Sequence, residues 1–242
     1  MTFLYSGLSF TPGTSTDEVL ATARKRLKKI CALPQGARLS VYRRSVDARK
    51  RNDVRLVYTV AVSAPFSERE EKALTAAGCA ALREETPQIV KGNERLSAPP
   101  LVVGTGPCGI FAALMLAEAG YAPIVLERGG SIAEREKDVA SFYRDRILSA
   151  DSNIQFGAGG AGTFSDGKLN TGTKDTRQKK VLEEMVEAGA PKEILYKAKP
   201  HVGTDMLCTM VANIRKKIIA MGGEFIFNCR MDDIIIKNNE VC

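Results

Sequence analysis

Gly104-Thr105-Gly106-Pro107-Cys108-Gly109 sets three glycines in a GxGxxG spacing, straight after the apolar run LVV at 101–103 and just ahead of a helix-like stretch. Such a turn can hold a diphosphate. The first glycine permits a tight strand-to-helix reversal, and the second lets phosphates approach the main chain. The third, together with Ala113, lets the helix lie close to the sheet. Amides at the start of the helix, at the positive end of its dipole, stabilise the phosphate charge. Thr105, Pro107 and Cys108 complete the turn. Glu127 lies 18 residues after Gly109 and closes the next predicted strand, PIVLE at 123–127. Its carboxylate suits both hydroxyls of an adenosine ribose and repels a 2′-phosphate, which disfavours NADP there.

In a simple NAD domain the acid-terminated strand leads through a helix to a third apolar strand. Here Glu127 is followed by Arg128-Gly129-Gly130, a charged helix and a glycine-rich stretch, an interruption that favours an FAD-type domain. Residues 157–170 read GAGGAGTFSDGKLN, with five glycines in eleven residues, which suits neither helix nor strand interiors. A loop of this composition can bring amides against an anion or a flat ring. Thr163, Ser165 and Lys168 add polar groups, and Phe156 and Phe164 give it apolar anchors.

Around these residues the pattern predicts two domains, 1–95 and 96–242. The first has strands at 3–10, 39–46 and 54–62. Capping boxes at Ser15-x-x-Glu18 and Ser67-x-x-Glu70 open helices running to about Ile30 and Leu82, and a short strand follows near 88–91. The order β-α-β-β-α-β suggests a ferredoxin-like α+β domain. The polar stretch 91–98 and Pro99-Pro100 read as a linker. Beyond it come strand 101–103, a helix at 107–119 closed by Gly120, strand 123–127 and a helix from Ser131 to about Arg146. Helices at 176–188 and 205–220 and strands at 224–228 and 233–236 follow. The expected class is α/β: a ferredoxin-like domain followed by part of a Rossmann-type FAD-binding domain.

The stretches VVGTGPCGIFAALMLAEAGYAPIVLERGG (102–130) and SNIQFGAGGAGTFSDGKLNT (152–171) resemble the predicted FAD-dependent dehydrogenases of the glutathione-reductase-like flavoprotein superfamily. SVDARKRNDVRLVYTV (45–60) and KPHVGTDMLCTMVANIRKKI (199–218) also match, so the resemblance runs from about residue 38 to 236. It implies that Gly104, Gly106 and Gly109 meet the FAD pyrophosphate, that Glu127 meets the adenosine ribose, and that Arg128 lies beside the adenosine half. It also implies that Gly159-Gly160-Ala161-Gly162-Thr163 lies near the pyrophosphate and flavin. The strand in EFIFNCRMDDI would present backbone to adenine, with Met231 as the contact, and Lys168 is a further candidate. The superfamily's later Gly-Asp motif, whose aspartate binds the ribityl chain, has no match before Cys242, so the chain is expected to be the front part of a longer flavoprotein.

Composition narrows the rest. A single histidine, His201, argues against a histidine-based metal centre. His201 can be read either as a base near flavin or as a loop contact at a helix start. Six scattered cysteines without a CxxC pair, in a chain whose first residues read as a poor secretion signal, suit reduced thiols and an expected cytoplasmic setting. They also argue against disulfide-reductase chemistry, and Cys108 is expected to be a small packing residue. No apolar run is long enough to span a membrane. Residues 1–95 carry 17 Lys/Arg against 10 Asp/Glu, whereas residues 96–242 carry 18 of each, so the whole surplus of +7 precedes the glycine motif. That excess, with Arg43, Arg44, Arg49, Lys50, Arg51 and Arg55 clustered at a hairpin, leaves a nucleic-acid-associated flavoprotein as an alternative. The hairpin lacks an interleaved aromatic platform, and nucleic acid is not the expected partner. A non-catalytic fragment with residual nucleotide affinity is a third reading. The leading expectation is an FAD-dependent oxidoreductase acting on a small molecule; NAD(P)H is one candidate electron donor, and the sequence leaves the donor open.

Overall fold

The computed structural model describes residues 1–83, 92–93, 96–165, 167–169, 175–238 and 240–241. The chain is of the mixed α/β class, with separate antiparallel and parallel sheets. It divides into two compact units, Met1–Pro87 with Lys192–Pro200, and Gln88–Pro191 with His201–Cys242.

In the first unit, β1 (Thr2–Phe10), α1 (Thr16–Leu27), β2 (Arg38–Asp47), β3 (Arg55–Ser63), α2 (Glu68–Ala76) and β4 (Ala80–Ala81) follow one another. The sheet order is β2-β3-β1-β4, antiparallel throughout. Alternation along β1 and β3 sends Phe3, Leu8, Tyr58, Val60 and Val62 to one face. There they pack on Val19, Ala23 and Leu27 of α1 and on Leu74 of α2. Ser67 caps α2 in the expected reciprocal manner, accepting from Glu70 N while its own amide donates to the Glu70 carboxylate. Helix α2 stops short of Leu82. Gly78, at φ +82, turns the chain, and Ala80–Ala81 forms the edge strand instead. The strand expected near 88–91 lies outside the described residues.

The segment Lys192–Pro200 belongs to this unit. Arg44 N donates to Tyr196 O at 2.7 Å and Ala198 N to Arg44 O at 3.0 Å. The basic hairpin is partly neutralised, because Arg49 pairs with Asp47 at 2.6 Å and Arg55 with Asp53 at 2.5 Å. The hydrogen bond from Arg49 holds the Asp47 carboxyl down at about 2.

The second unit contains β5 (Leu101–Val103), α3 (Pro107–Glu118), β6 (Ile124–Leu126), α4 (Ile132–Asp145), α5 (Arg177–Glu187), α6 (Thr204–Ala220) and β7 (Glu224–Ile226). Strands β5, β6 and β7 are parallel and adjacent in that order. Val102, Ala113, Leu114, Val125, Ile214 and Ile218 are buried at the core of this unit. The strand expected over 233–236 is not formed as such. Only Ile236–Lys237 (β8) pairs, with Glu240–Val241 (β9), in a short hairpin whose Ile234, Ile235 and Ile236 are exposed. Among the described residues no helix is long and apolar enough to cross a membrane.

Glu184 on α5 is buried and accepts from Lys180 at 2.5 Å and from Lys217 of α6 at 2.6 Å. Glu118, at the end of α3, meets the same lysines at 3.0 and 3.3 Å. Burial pushes the Glu184 carboxyl up, but hydrogen bonds and charge from the two lysines outweigh it and hold it below the ordinary glutamate range. A depressed folded value gives stability above the unfolded pKa that is lost as pH falls through the folded one. Glu184→Gln is therefore expected to cost roughly 1–2 kcal/mol in urea at neutral pH, kept modest by the solvent-reached lysines. The gap to wild type closes in acid; a gap unchanged by acid contradicts the pairing.

Candidate functional site

The ends of β5 and β6 and the N-cap residue of α3 converge on a cleft of about 470 Å³ in the second unit. Gly104 stands at φ +88, a left-handed conformation that a side chain resists, and its amide donates to Leu126 O at 2.7 Å. That bond ties the glycine turn to β6. Gly106 is the N-cap of α3, and a Cβ built on it meets nothing within 4 Å, so its bare side faces open space. Gly109 has the opposite surroundings: a Cβ there falls 1.9 Å from Gly104 O. The first helical bond is Ile110 N to Gly106 O, at 3.0 Å. The amides of Cys108 and Gly109 therefore precede the helix's own ladder, and Pro107 at N1 has none to give.

Glu127 is 5% exposed, and its carboxylate is already engaged by the chain. Oε2 accepts from Thr105 N at 2.9 Å and from the Thr105 hydroxyl, and Oε1 accepts from Gly129 N at 2.9 Å. A carboxylate has roughly four acceptor sites, so this arrangement leaves one, on Oε1. Against the expectation of a whole carboxylate free for both ribose hydroxyls, the geometry provides for a single further bond unless Thr105 turns away. Arg128 lies 4.4 Å over the Phe156 ring with Asp151 at 3.3 Å, which gives the cleft a flat, cation-faced wall.

The glycine-rich loop is fastened to the turn. Gly159 N donates to Thr105 O at 3.0 Å, and a Cβ on Gly160 would come within 3.1 Å of Gly106 Cα. The cleft thus brings together Gly104, Thr105, Gly106, Glu127, Arg128, Gly160 and Met231. Pro107, Cys108 and Gly109 open α3 directly after Gly106 and are not among the lining side chains. Gly159 lies one residue inside the loop, against Thr163. Ala161 and Gly162 open the 3-10 turn Ala161–Phe164 and are exposed, whereas Thr163 is buried. Lys168 does not line the cleft; it is exposed and forms a lone bridge with His201, which is exposed too. Cys108 is exposed, which corrects its reading as a packing residue. As the second residue of α3 it lies off the buried stripe of Ile110, Ala113, Leu114 and Ala117.

Sequence reasoning missed Arg135, which is 0% exposed and binds the carbonyls of the glycine-rich loop. The available signal was its place on the stripe shared with Val139 and Phe142, where an apolar residue is the ordinary choice. It also missed Gly129, where a Cβ would fall 2.7 Å from Asp151 O. Asn228 N and Cys229 N, bonded to Gly129 O and Glu127 O, carry the chain past the cleft toward Met231.

No family model matches the chain. It is similar to an uncharacterized protein from Clostridium beijerinckii, with 43% identity over 230 residues. That match covers 93% of this chain and 43% of the other protein, so the chain spans less than half the length of the relative it matches.

Proposed function

We propose that the second unit binds FAD and that the chain serves a flavin-dependent oxidoreductase. The first unit's sheet order β2-β3-β1-β4, with its β-α-β-β-α-β succession, supports a ferredoxin-like reading; the parallel β5-β6-β7 sheet with α3 after β5 supports a Rossmann-type one. One observation carries the cofactor reading. The unobstructed Gly106, which is the N-cap of α3, and Glu127 with its residual acceptor border one cleft, in the sequence in which diphosphate and ribose occur in the coenzyme. The two phosphates would lie against the amides of Cys108 and Gly109, and one ribose hydroxyl would donate to Glu127 Oε1. Arg128, already stacked on Phe156, offers a face for adenine. Bound flavin would supply the electron chemistry; the chain's share is to hold and orient it. The free thiols of Cys31, Cys79, Cys108, Cys208 and Cys229 suit a reducing, cytoplasmic setting.

Titration of the purified chain with FAD, followed by flavin fluorescence, tests this reading. The expected result is saturable binding that ADP displaces, with 2′-phospho-ADP at least about 10-fold weaker because its added charge meets Glu127. Binding of neither FAD nor ADP overturns the reading.

A further inference from the structure

Arg135 of α4 is the largest fully buried side chain among the described residues. Its hydrogen bonds there all go to main-chain carbonyls. Nε donates to Asn153 O at 2.9 Å and Nη2 to Ile154 O at 3.0 Å. Nη1 donates to the carbonyls of Gly157, Ala158 and Gly160 at 3.2, 2.6 and 2.8 Å. The guanidinium also lies 4.7 Å over the Phe164 ring. Burying a cation is expensive, and an apolar side chain of similar size would fill this space at lower cost. The charge therefore contributes something that packing does not. Burial pushes the Arg135 pKa down while the nearby Glu127 charge pulls it back, and a guanidinium stays protonated in either case.

A trans peptide points its N–H opposite to its carbonyl, and the described peptide bonds include no cis bond. With the carbonyls of Gly157, Ala158 and Gly160 drawn onto Arg135, the amides of Ala158, Gly159 and Ala161 point away from it. Gly159 N is taken by Thr105 O; the amides of Ala158 and Ala161 have no partner among the described residues. Ala161 directly follows Gly160, which borders the cleft and packs on Gly106.

We infer that Arg135 is the positioning residue of the glycine-rich loop: by gathering its carbonyls inward it holds loop amides, that of Ala161 foremost, as donors for the diphosphate seated at Gly106. This rests on the nucleotide reading above. The loop then meets the phosphates, whereas Glu127 and Arg128 meet the nucleoside, so the two halves of the ligand respond differently to the loss of Arg135. A lysine has one ammonium in place of the planar fork and cannot reach five carbonyls.

Calorimetric titration with ADP and with adenosine, on the whole chain, separates the possibilities. Arg135→Lys is expected to weaken ADP about 10-fold and adenosine less than about 3-fold, the loss of one or two oriented donors. Equal ADP affinity in variant and wild type overturns the inference, as does an equal loss for both ligands, which marks general damage. Should Arg135→Lys fail to fold, Phe164→Leu removes only the ring over the guanidinium and is expected to show the same split at about 3-fold for ADP; no split overturns the inference. If wild type binds neither ligand, it is the nucleotide reading that fails. Amide exchange over residues 153–165 then decides the positioning half: faster exchange in Arg135→Lys supports it, and unchanged exchange overturns it.

Discussion

Gly109→Ala is expected to destabilise the second unit by about 3 kcal/mol and to lower its melting midpoint by roughly 10 °C. The added Cβ falls 1.9 Å from Gly104 O and 3.0 Å from Gly104 C, and both are main-chain atoms that cannot rotate aside. Relief requires α3 to lift off β5, which strips contacts from Val102 and Ala113 in the core. Gly106→Ala, three residues earlier, is the contrasting case. Its φ is −63 and its Cβ direction is empty, so stability is expected to change by less than about 0.5 kcal/mol. On the proposed reading the methyl group instead occupies the space a phosphate would take, and FAD affinity is expected to fall at least about 30-fold. Thermal melts and flavin titrations on the two variants check this division of labour. If both alanines cost stability and neither changes binding, the turn is merely structural.

Glu127→Ala combines both kinds of loss. Thr105 N, the Thr105 hydroxyl and Gly129 N lose their common acceptor in a buried place, which is expected to cost about 3 kcal/mol. FAD affinity is expected to drop at least about 100-fold, because the ribose loses its acceptor and the turn its anchor. Glu127→Gln is the more discriminating change. Its amide keeps the shape but must present an NH2 group to Thr105 or to Gly129, at a cost of about 1–2 kcal/mol. It removes the negative charge, so the preference for ADP over 2′-phospho-ADP is expected to shrink several-fold or vanish. Denaturant midpoints paired with titration of both nucleotides provide the measurement. A preference that survives in Glu127→Gln means that some other group sets it.

Much of the site's outline is written in short-range sequence. The turn glycines, the apolar LVV and IVL strands and the acid closing the second strand each act within a few residues of where they stand, so spacing is enough to align them. Arg135 escaped because its effect is long-range. Within SIAEREKDVA it has the composition of a charged surface helix; its place on the stripe with Val139 and Phe142 hints that it faces inward, but only packing reveals its partners in the loop 18 to 25 residues away. The engagement of Glu127 by Thr105 escaped for the same reason, since a hydroxyl in a turn carries no mark of its partner. Element ends were the other weak point. The run KALTAAGCAAL reads as continuous helix to about Leu82, yet Gly78 in the left-handed region stops it. The β-branched run Ile234–Ile236 has strand propensity, but pairing begins only at Ile236, because propensity supplies no partner.

The central claim is that main-chain amides at the start of α3 hold a diphosphate while Glu127 holds the adjoining ribose. A crystal structure of the chain grown with ADP tests it most directly. The expected map shows phosphate oxygens within hydrogen-bond distance of Cys108 N and Gly109 N, and one ribose hydroxyl on Glu127 Oε1. Density for ADP elsewhere on the chain, or a vacant cleft at saturating ADP, contradicts the account.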